Sequence, residues 1–206
     1  WQIAESDPNA VTLDYCDYYF DGVLQEKQVP INNIQGEACK LERPVDVDLV
    51  FYMNVIQKPD TPLYLVLETP EKFVISVNGK DIPNVDCGYY RDKSFRKINI
   101  SDAVALGENQ IKLSINFTQS EKIYQNIKNS LQFESEKNML TYDTEIEAVY
   151  VIGDFGVDTA GEFTELDRRA VRYDGSFAIS DMPKTVTVGN FVLQKFPFFN
   201  GRMVLK

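Results

Sequence analysis

From Gln110 to Phe117 the chain reads QIKLSINF, and every second residue is apolar. A period of two marks a strand with one face in a core and the other in water. Ile111, Leu113, Ile115 and Phe117 are expected inside, with Gln110, Lys112, Ser114 and Asn116 outside. A half-solvated strand of this kind belongs to an antiparallel sheet. The period recurs along the chain. DLVFYMNV puts Leu49, Phe51, Met53 and Val55 on one face, and LYLVLET groups Leu63, Leu65 and Leu67. FVISV groups Phe73, Ile75 and Val77, and EIEAVYVIG alternates Ile146, Ala148, Tyr150 and Ile152. With 44% hydrophobic and 12% aromatic residues, the chain has material for a real core.

Turn chemistry separates these runs. Asp21-Gly22, Asn78-Gly79, Asp174-Gly175 and Asn200-Gly201 are four pairs suited to type I′ hairpin turns, which need positive φ at both central residues. AVRY and SFAI flank the third pair, and FPFF and RMVL flank the fourth. Many short strands with closely spaced turns argue for an all-β sandwich or jelly roll. Helix is expected in two places. In SDAVALGEN, Ser101 is a candidate N-cap and Gly107 a closing residue. From Thr118 to Leu131, Thr118 and Glu121 have capping-box spacing, and Ile123, Ile127 and Leu131 repeat at i, i+4, i+8. This second segment is expected as a helical insertion over about 118–135, packed on a sheet edge. The loops QKPDTP and DMPKT are too short for domain linkers. One β-sandwich domain over 1–206 is therefore expected, with its core from 45–118 and 145–206. A chain that begins at Trp1 is expected to be a piece of a longer polypeptide.

Composition narrows function by exclusion. Histidine is absent, which removes Ser-His-Asp and Cys-His catalysis and the usual zinc sites. A formal net charge of -10 makes nucleic acid and anionic lipid poor partners. No run of about 18 apolar residues is present to span a membrane. Cys16, Cys39 and Cys87 are few, odd in number and far apart, so buried free thiols are expected; one disulfide plus a free thiol is the alternative.

The order of motifs carries a resemblance. PLYLVLETPEKFVISVNGKDI, followed by YYRDKSFRKINISDAVALGENQIKLSI, resembles the galactose-binding-like β-sandwich accessory domains of glycoside hydrolases. The match is to those of β-galactosidase-type family 2 and α-L-rhamnosidase-type enzymes. It covers Leu49 to Phe117 well and Glu145 to Leu205 loosely, where AVYVIGDFGVD and FVLQKFPFFNGRMVL look like segments joining one sandwich to another. The signal lies in the sequence order of Asn78-Gly79, Asp92 and Gly107-Glu108-Asn109; singly, each of these residues is explained by turn and strand geometry. The resemblance implies a galactose-binding-like jelly roll with a short inserted helix. It implies a non-catalytic accessory domain of a larger glycoside hydrolase in bacterial polysaccharide breakdown, in a secreted or periplasmic setting. The alternative is an interdomain or cell-surface interaction module that touches no sugar. A brace of that kind predicts an exposed apolar patch near Trp1 and KFPFFNG.

Expected sites follow from residue chemistry. No catalytic pair is marked: hydrolysis needs two carboxylates at a set spacing, and 31 acidic residues single none out. Sugar binding needs aromatic rings for C–H faces and planar polar groups for hydroxyls. DCGYYRD supplies Tyr89, Tyr90, Arg91 and Asp92, and DYCDYYFDG supplies Tyr18 and Tyr19 among acidic residues. The competing expectation has Arg91 simply paired with Asp92 or Asp86, and the DYCDYYFDG stretch as an edge strand. No cofactor is expected beyond the structural calcium that the resemblance brings in. For calcium, which prefers oxygen ligands, Asp154 and Asp158 are the candidates, with Asp14, Asp17 and Asp21 as a second set. The expected partners are carbohydrate and neighbouring domains of the same polypeptide.

Overall fold

Eleven antiparallel residue pairs join the two longest strands, Val45–Val55 and Gly107–Phe117, along their whole length. These are the two clearest alternating runs in the sequence, and their apolar phases point the same way. The computed structural model describes residues 1–132, 134–138 and 140–206. In chain order it begins with β1 (Ile3–Ser6), β2 (Asn9–Thr12), β3 (Tyr15–Phe20), β4 (Val23–Pro30), α1 (Ile31–Cys39) and β5 (Val45–Val55). Then come β6 (Tyr64–Glu68), β7 (Val74–Val77), β8 (Lys80–Ile82), β9 (Asp86–Tyr90), β10 (Asp92–Asn99) and β11 (Gly107–Phe117). After α2 (Glu121–Ser130) and α3 (Glu134–Lys137) follow β12 (Tyr150–Gly153), β13 (Gly156–Thr159), β14 (Glu162–Glu165), β15 (Val171–Asp174), β16 (Phe177–Ser180) and β17 (Met203–Leu205).

The fold is mostly β, and two sheets carry it. The larger runs β13-β16-β5-β11-β7-β8, with the β3–β4 hairpin also attached to β5. The smaller runs β2-β12-β6-β10-β9 and is antiparallel throughout. Leu49, Phe51, Ile75, Ile111 and Leu113 from the larger sheet share one buried cluster with Leu65, Leu67, Ile98 and Val151 from the smaller. At roughly 1.5–3 kcal/mol for each fully buried side chain, this shared cluster holds the layers together as a sandwich. One edge of β5 is forked. β3 pairs antiparallel with Val47–Val50, and β16 pairs parallel with Asn54 and Val55. Between them, Phe51, Tyr52 and Met53 pair only with β11 among the described residues.

The smaller sheet is apolar on its outer face too. Ala10, Val66 and Ile152 form a second cluster there, with Tyr64, Tyr90, Phe95, Tyr150 and Phe198 packed on it. This explains why EIEAVYVIG misleads. Val149 and Val151 enter the central cluster, while Tyr150 and Ile152 face outward into the second one. A strand covered on both faces has no alternation to read.

Two of the four turn pairs form type I′ turns. Asp21 and Gly22 have φ of 49° and 77°, and Asn78 and Gly79 have 54° and 74°. The other two do not. β15 pairs with β14 and β16 with β13, so Asp174-Gly175 links two sheets; FPFF is no strand, and β17 pairs with β1. Pairing far along the chain won over local turn chemistry. The helical expectations also need correction. Ser101–Ala103 is one 3-10 turn in which Ser101 is not the cap, and Gly107 opens β11. The inserted helix α2 starts from Ser120, whose N–H donates to Asp143 Oδ2 at 2.7 Å, so no Thr118–Glu121 box forms. Ile123 is buried, but Leu131 is exposed. α2 lies against the link between α1 and β5, with Lys128 Nζ 2.7 Å from Glu42 Oε2. Gln119 closes the base of the insertion: its Oε1 accepts from Asp143 N at 2.7 Å, and its Nε2 donates to Thr144 O at 2.5 Å. α1 was not expected. It buries Ile31, Ile34, Ala38 and Cys39 at helical spacing. The three cysteines are free thiols: Cys16 and Cys39 are buried, and Cys87 is half-buried. Burial, aided by Asp17, pushes the Cys16 thiol up to about 12.

Candidate functional site

A pocket of about 370 Å³ opens on the outer face of the smaller sheet. Four strands and the C-terminal segment converge on it, β2 through Ala10 and Thr12. β12 contributes Tyr150, paired in register with Thr12 of β2 and Val66 of β6. β10 contributes Phe95, whose ring meets Tyr150 edge-on with centroids 5.7 Å apart. β9 contributes Tyr90, with its ring 6.5 Å from that of Tyr150. Phe198 and Asn200 come from the C-terminal segment. Asn9, fully buried, ties that segment down: its Nδ2 donates to Lys195 O at 2.9 Å and to Phe155 O at 3.0 Å.

The polar rim sits on the β9–β10 turn. Arg91 takes φ 60° there, an uncommon left-handed conformation for a non-glycine residue. Its Nη1 lies 3.1 Å from Asp7 Oδ2, and its Nη2 donates to Asn200 O. The guanidinium also lies 5.1 Å over the Tyr90 ring. Asp7 accepts from Arg202 N at 2.9 Å as well. That backbone bond, followed by the Arg91 bond, holds the Asp7 carboxyl below its ordinary range. Asp92 Oδ1 accepts from both Ser94 N and Ser94 Oγ at 2.9 Å; these bonds, the backbone one first, lower its pKa. Burial first, then the charges of Asp14, Tyr90 and Glu147, push the Tyr150 phenol up, so it stays protonated at neutral pH. The result is a floor of rings with a cation and a carboxylate at the edge, both preset by intramolecular bonds, and the Asn200 amide beside them. Such a surface can stack an apolar ring face and hydrogen-bond hydroxyls.

The expected site residues are divided by the structure. Tyr90, Arg91 and Asp92 line the pocket. Tyr89 is 51% exposed and does not. Tyr18 is only 7% exposed and packs edge-on against Phe20 in the core, so its ring offers no platform to a ligand. Tyr19 neighbours it on β3 in the other sheet and does not line the pocket. Arg91 pairs with Asp7 rather than with Asp92 or Asp86; Asp86 pairs with Arg96. Phe95, Tyr150 and Phe198 were missed: Phe95 and Tyr150 meet because β10 and β12 both pair with β6, and Phe198 joins them from the non-strand C-terminal segment. The signal for Tyr150 was the apolar phase on both faces of β12.

The calcium candidates do not converge. Asp158 lies 3.1 Å from Lys195 Nζ, and Asp154 is exposed. The lysine ammonium, also 2.8 Å from Asp181, already neutralises Asp158. Asp21 pairs with Arg43 at 2.7 Å, and Asp17 accepts from Gln28 N at 3.0 Å and Tyr52 Oη at 3.2 Å. Among the described residues, no group of three or more His, Cys, Asp or Glu side chains is placed to hold a metal ion. No protein family matches the chain by its sequence profile, and no curated protein matches its sequence.

Proposed function

We propose that residues 1–206 form one galactose-binding-like jelly-roll domain, a non-catalytic accessory part of a larger glycoside hydrolase, that binds carbohydrate on the outer face of its smaller sheet. The observation that carries the reading is the aromatic pocket: Tyr90, Phe95, Tyr150 and Phe198 around an open floor, rimmed by Arg91, Asp92 and Asn200. Its volume lies within the ~300–1,000 Å³ range of small-molecule sites. The two-layer β architecture and the motif order from Leu49 to Phe117 support the same assignment.

Calorimetry with a panel of plant and host oligosaccharides tests it. Binding is expected, and Tyr150→Leu is expected to weaken it about tenfold, ~1.4 kcal/mol, while circular dichroism stays native. No heat with any glycan would sink the reading. It would favour the second one, an interdomain or cell-surface module without sugar binding. A distinct observation supports that alternative. Trp1 pairs with Val186 through two backbone bonds, and Trp1 at 63%, Leu193 at 60% and Val188 at 87% exposure leave large apolar side chains in water. The phenylalanines of KFPFFNG are not part of that exposed set: Phe196 is buried and Phe198 packs on the aromatic cluster.

A further inference from the structure

The aromatic pocket shares a wall with a second cavity. Thr12 and Phe198 line both. The second cavity, about 660 Å³, fills the fork in the edge of β5, between the β3–β4 hairpin and the start of β16. β2 and the two residues that follow it, Leu13 and Asp14, run along both. Ala10 opens onto the aromatic pocket, Thr12 forms the shared wall, and Asp14 opens onto the fork. At ~3.3 Å per residue, Ala10 to Asp14 is a track of about 13 Å, longer than one sugar ring. Phe198 continues the aromatic floor across the boundary, with its ring 4.7 Å from that of Phe177 in the fork.

The two ends differ in charge. The aromatic end has Arg91 and Asp92 at its rim. Among the described residues, the fork is lined by Asp14 and Glu108 and by no lysine or arginine. Asp14 is exposed to the cavity and, among the described residues, its side chain has no hydrogen-bond or ion-pair partner; partial desolvation by the surrounding chain pushes its carboxyl above the ordinary aspartate value. Tyr15, well exposed, and Tyr52 add rings beside these carboxylates. Such a subsite accepts hydrogen bonds from hydroxyls or an ammonium group and repels a carboxylate. An extended peptide could use the open edge of β5, but among the described residues only Phe51, Tyr52 and Met53 lack a partner on that edge, short of the ~5–6 of a usual strand.

We propose that the two cavities form one groove for an oligosaccharide of at least two units, in which the fork takes a neutral or amino sugar and excludes a uronate. The inference rests on the carbohydrate-binding reading and adds a length and a charge requirement to it. Calorimetry with mono-, di-, tetra- and hexasaccharides of glucose, glucosamine and galacturonic acid tests it. The neutral or amino series should gain at least tenfold in affinity from monosaccharide to tetrasaccharide, with the uronate series at least tenfold weaker. Asp14→Ala should abolish the gain with length, and Asp14→Asn combined with Glu108→Gln should relieve the exclusion of uronates. Affinity that is independent of length, but lost in Tyr150→Leu, would overturn the groove and leave the single pocket standing. Silence from every saccharide would remove both, and binding of hexalysine in the same cell without any saccharide heat would reassign the fork to a cationic peptide.

Discussion

Asn109 is fully buried and uses both ends of its side-chain amide twice. Its Oδ1 accepts from Ala105 N and Asn78 Nδ2, each at 2.8 Å, and its Nδ2 donates to Ala105 O and Gly107 O, each at 2.9 Å. Asn78 extends the lock: its Nδ2 also reaches Ala103 O at 2.9 Å, and its Oδ1 accepts from Gln110 N at 2.9 Å. The β7–β8 turn is thus riveted to the loop before β11. Removing one partner strands the others, at about 1–3 kcal/mol for each buried group left unpaired. Asn109→Leu is therefore expected to lower unfolding free energy by roughly 2–4 kcal/mol, read as a lower urea midpoint with an unchanged slope. An effect within 0.5 kcal/mol of zero would mean that water replaces the network. At this scale the sequence was partly legible. Asn78-Gly79 announced its turn through the φ > 0 requirement, but the side-chain partners of Asn78 come from residues some 25–32 positions away, which no local pattern encodes. The site shows the same limit. Tyr90, Arg91 and Asp92 are neighbours in sequence and could be seen together, whereas Tyr150 joins them only because β12 and β10 flank β6.

Among the elements, strands with one wet face were read almost residue by residue, and β11 and β5 are the clearest cases. α1 escaped because its sequence, INNIQGEAC, holds two asparagines and a glycine, all weak helix formers. Tertiary burial of Ile31, Ile34 and Ala38 supplies what propensity lacks. A Cβ at Gly36 would meet nothing within 4 Å. Gly36→Ala is accordingly expected to stabilise the protein by about 0.5–1 kcal/mol, seen as a higher melting temperature. A lower one would show that the helix needs the flexibility of Gly36. The turn pairs Asp174-Gly175 and Asn200-Gly201 mark the opposite failure. Their chemistry permits a hairpin, yet β16 and β17 find partners elsewhere, and the competition is settled by the sheet.

For the whole molecule, hydrogen-bonded aspartates join segments distant in sequence. Asp7 is held by Arg202 N–H and then Arg91, Asp21 by Arg43 and then Asp46 N–H, and Asp143 by the Ser120 N–H. Each has its pKa lowered below the ordinary 3.8. A carboxyl of lower pKa in the folded state adds stability above the unfolded value and loses it as pH falls through the folded one. The melting temperature should therefore drop between pH 5 and pH 3. Asp7→Asn should melt below the wild type at pH 7, with the gap narrowing as pH falls below the ordinary 3.8; a gap that does not narrow at all on acidification would show that the role of Asp7 is not its charge. The Gln119 clasp carries a different consequence. By bonding Asp143 and Thr144, it fixes the exit of the helical excursion beside its entrance. The contour length between those points is then uncoupled from the sandwich, and lengthening it costs only a loop entropy that grows with the logarithm of its length. That makes the excursion a cassette, where residues can be gained, lost or exchanged over generations while both layers and the groove keep their geometry.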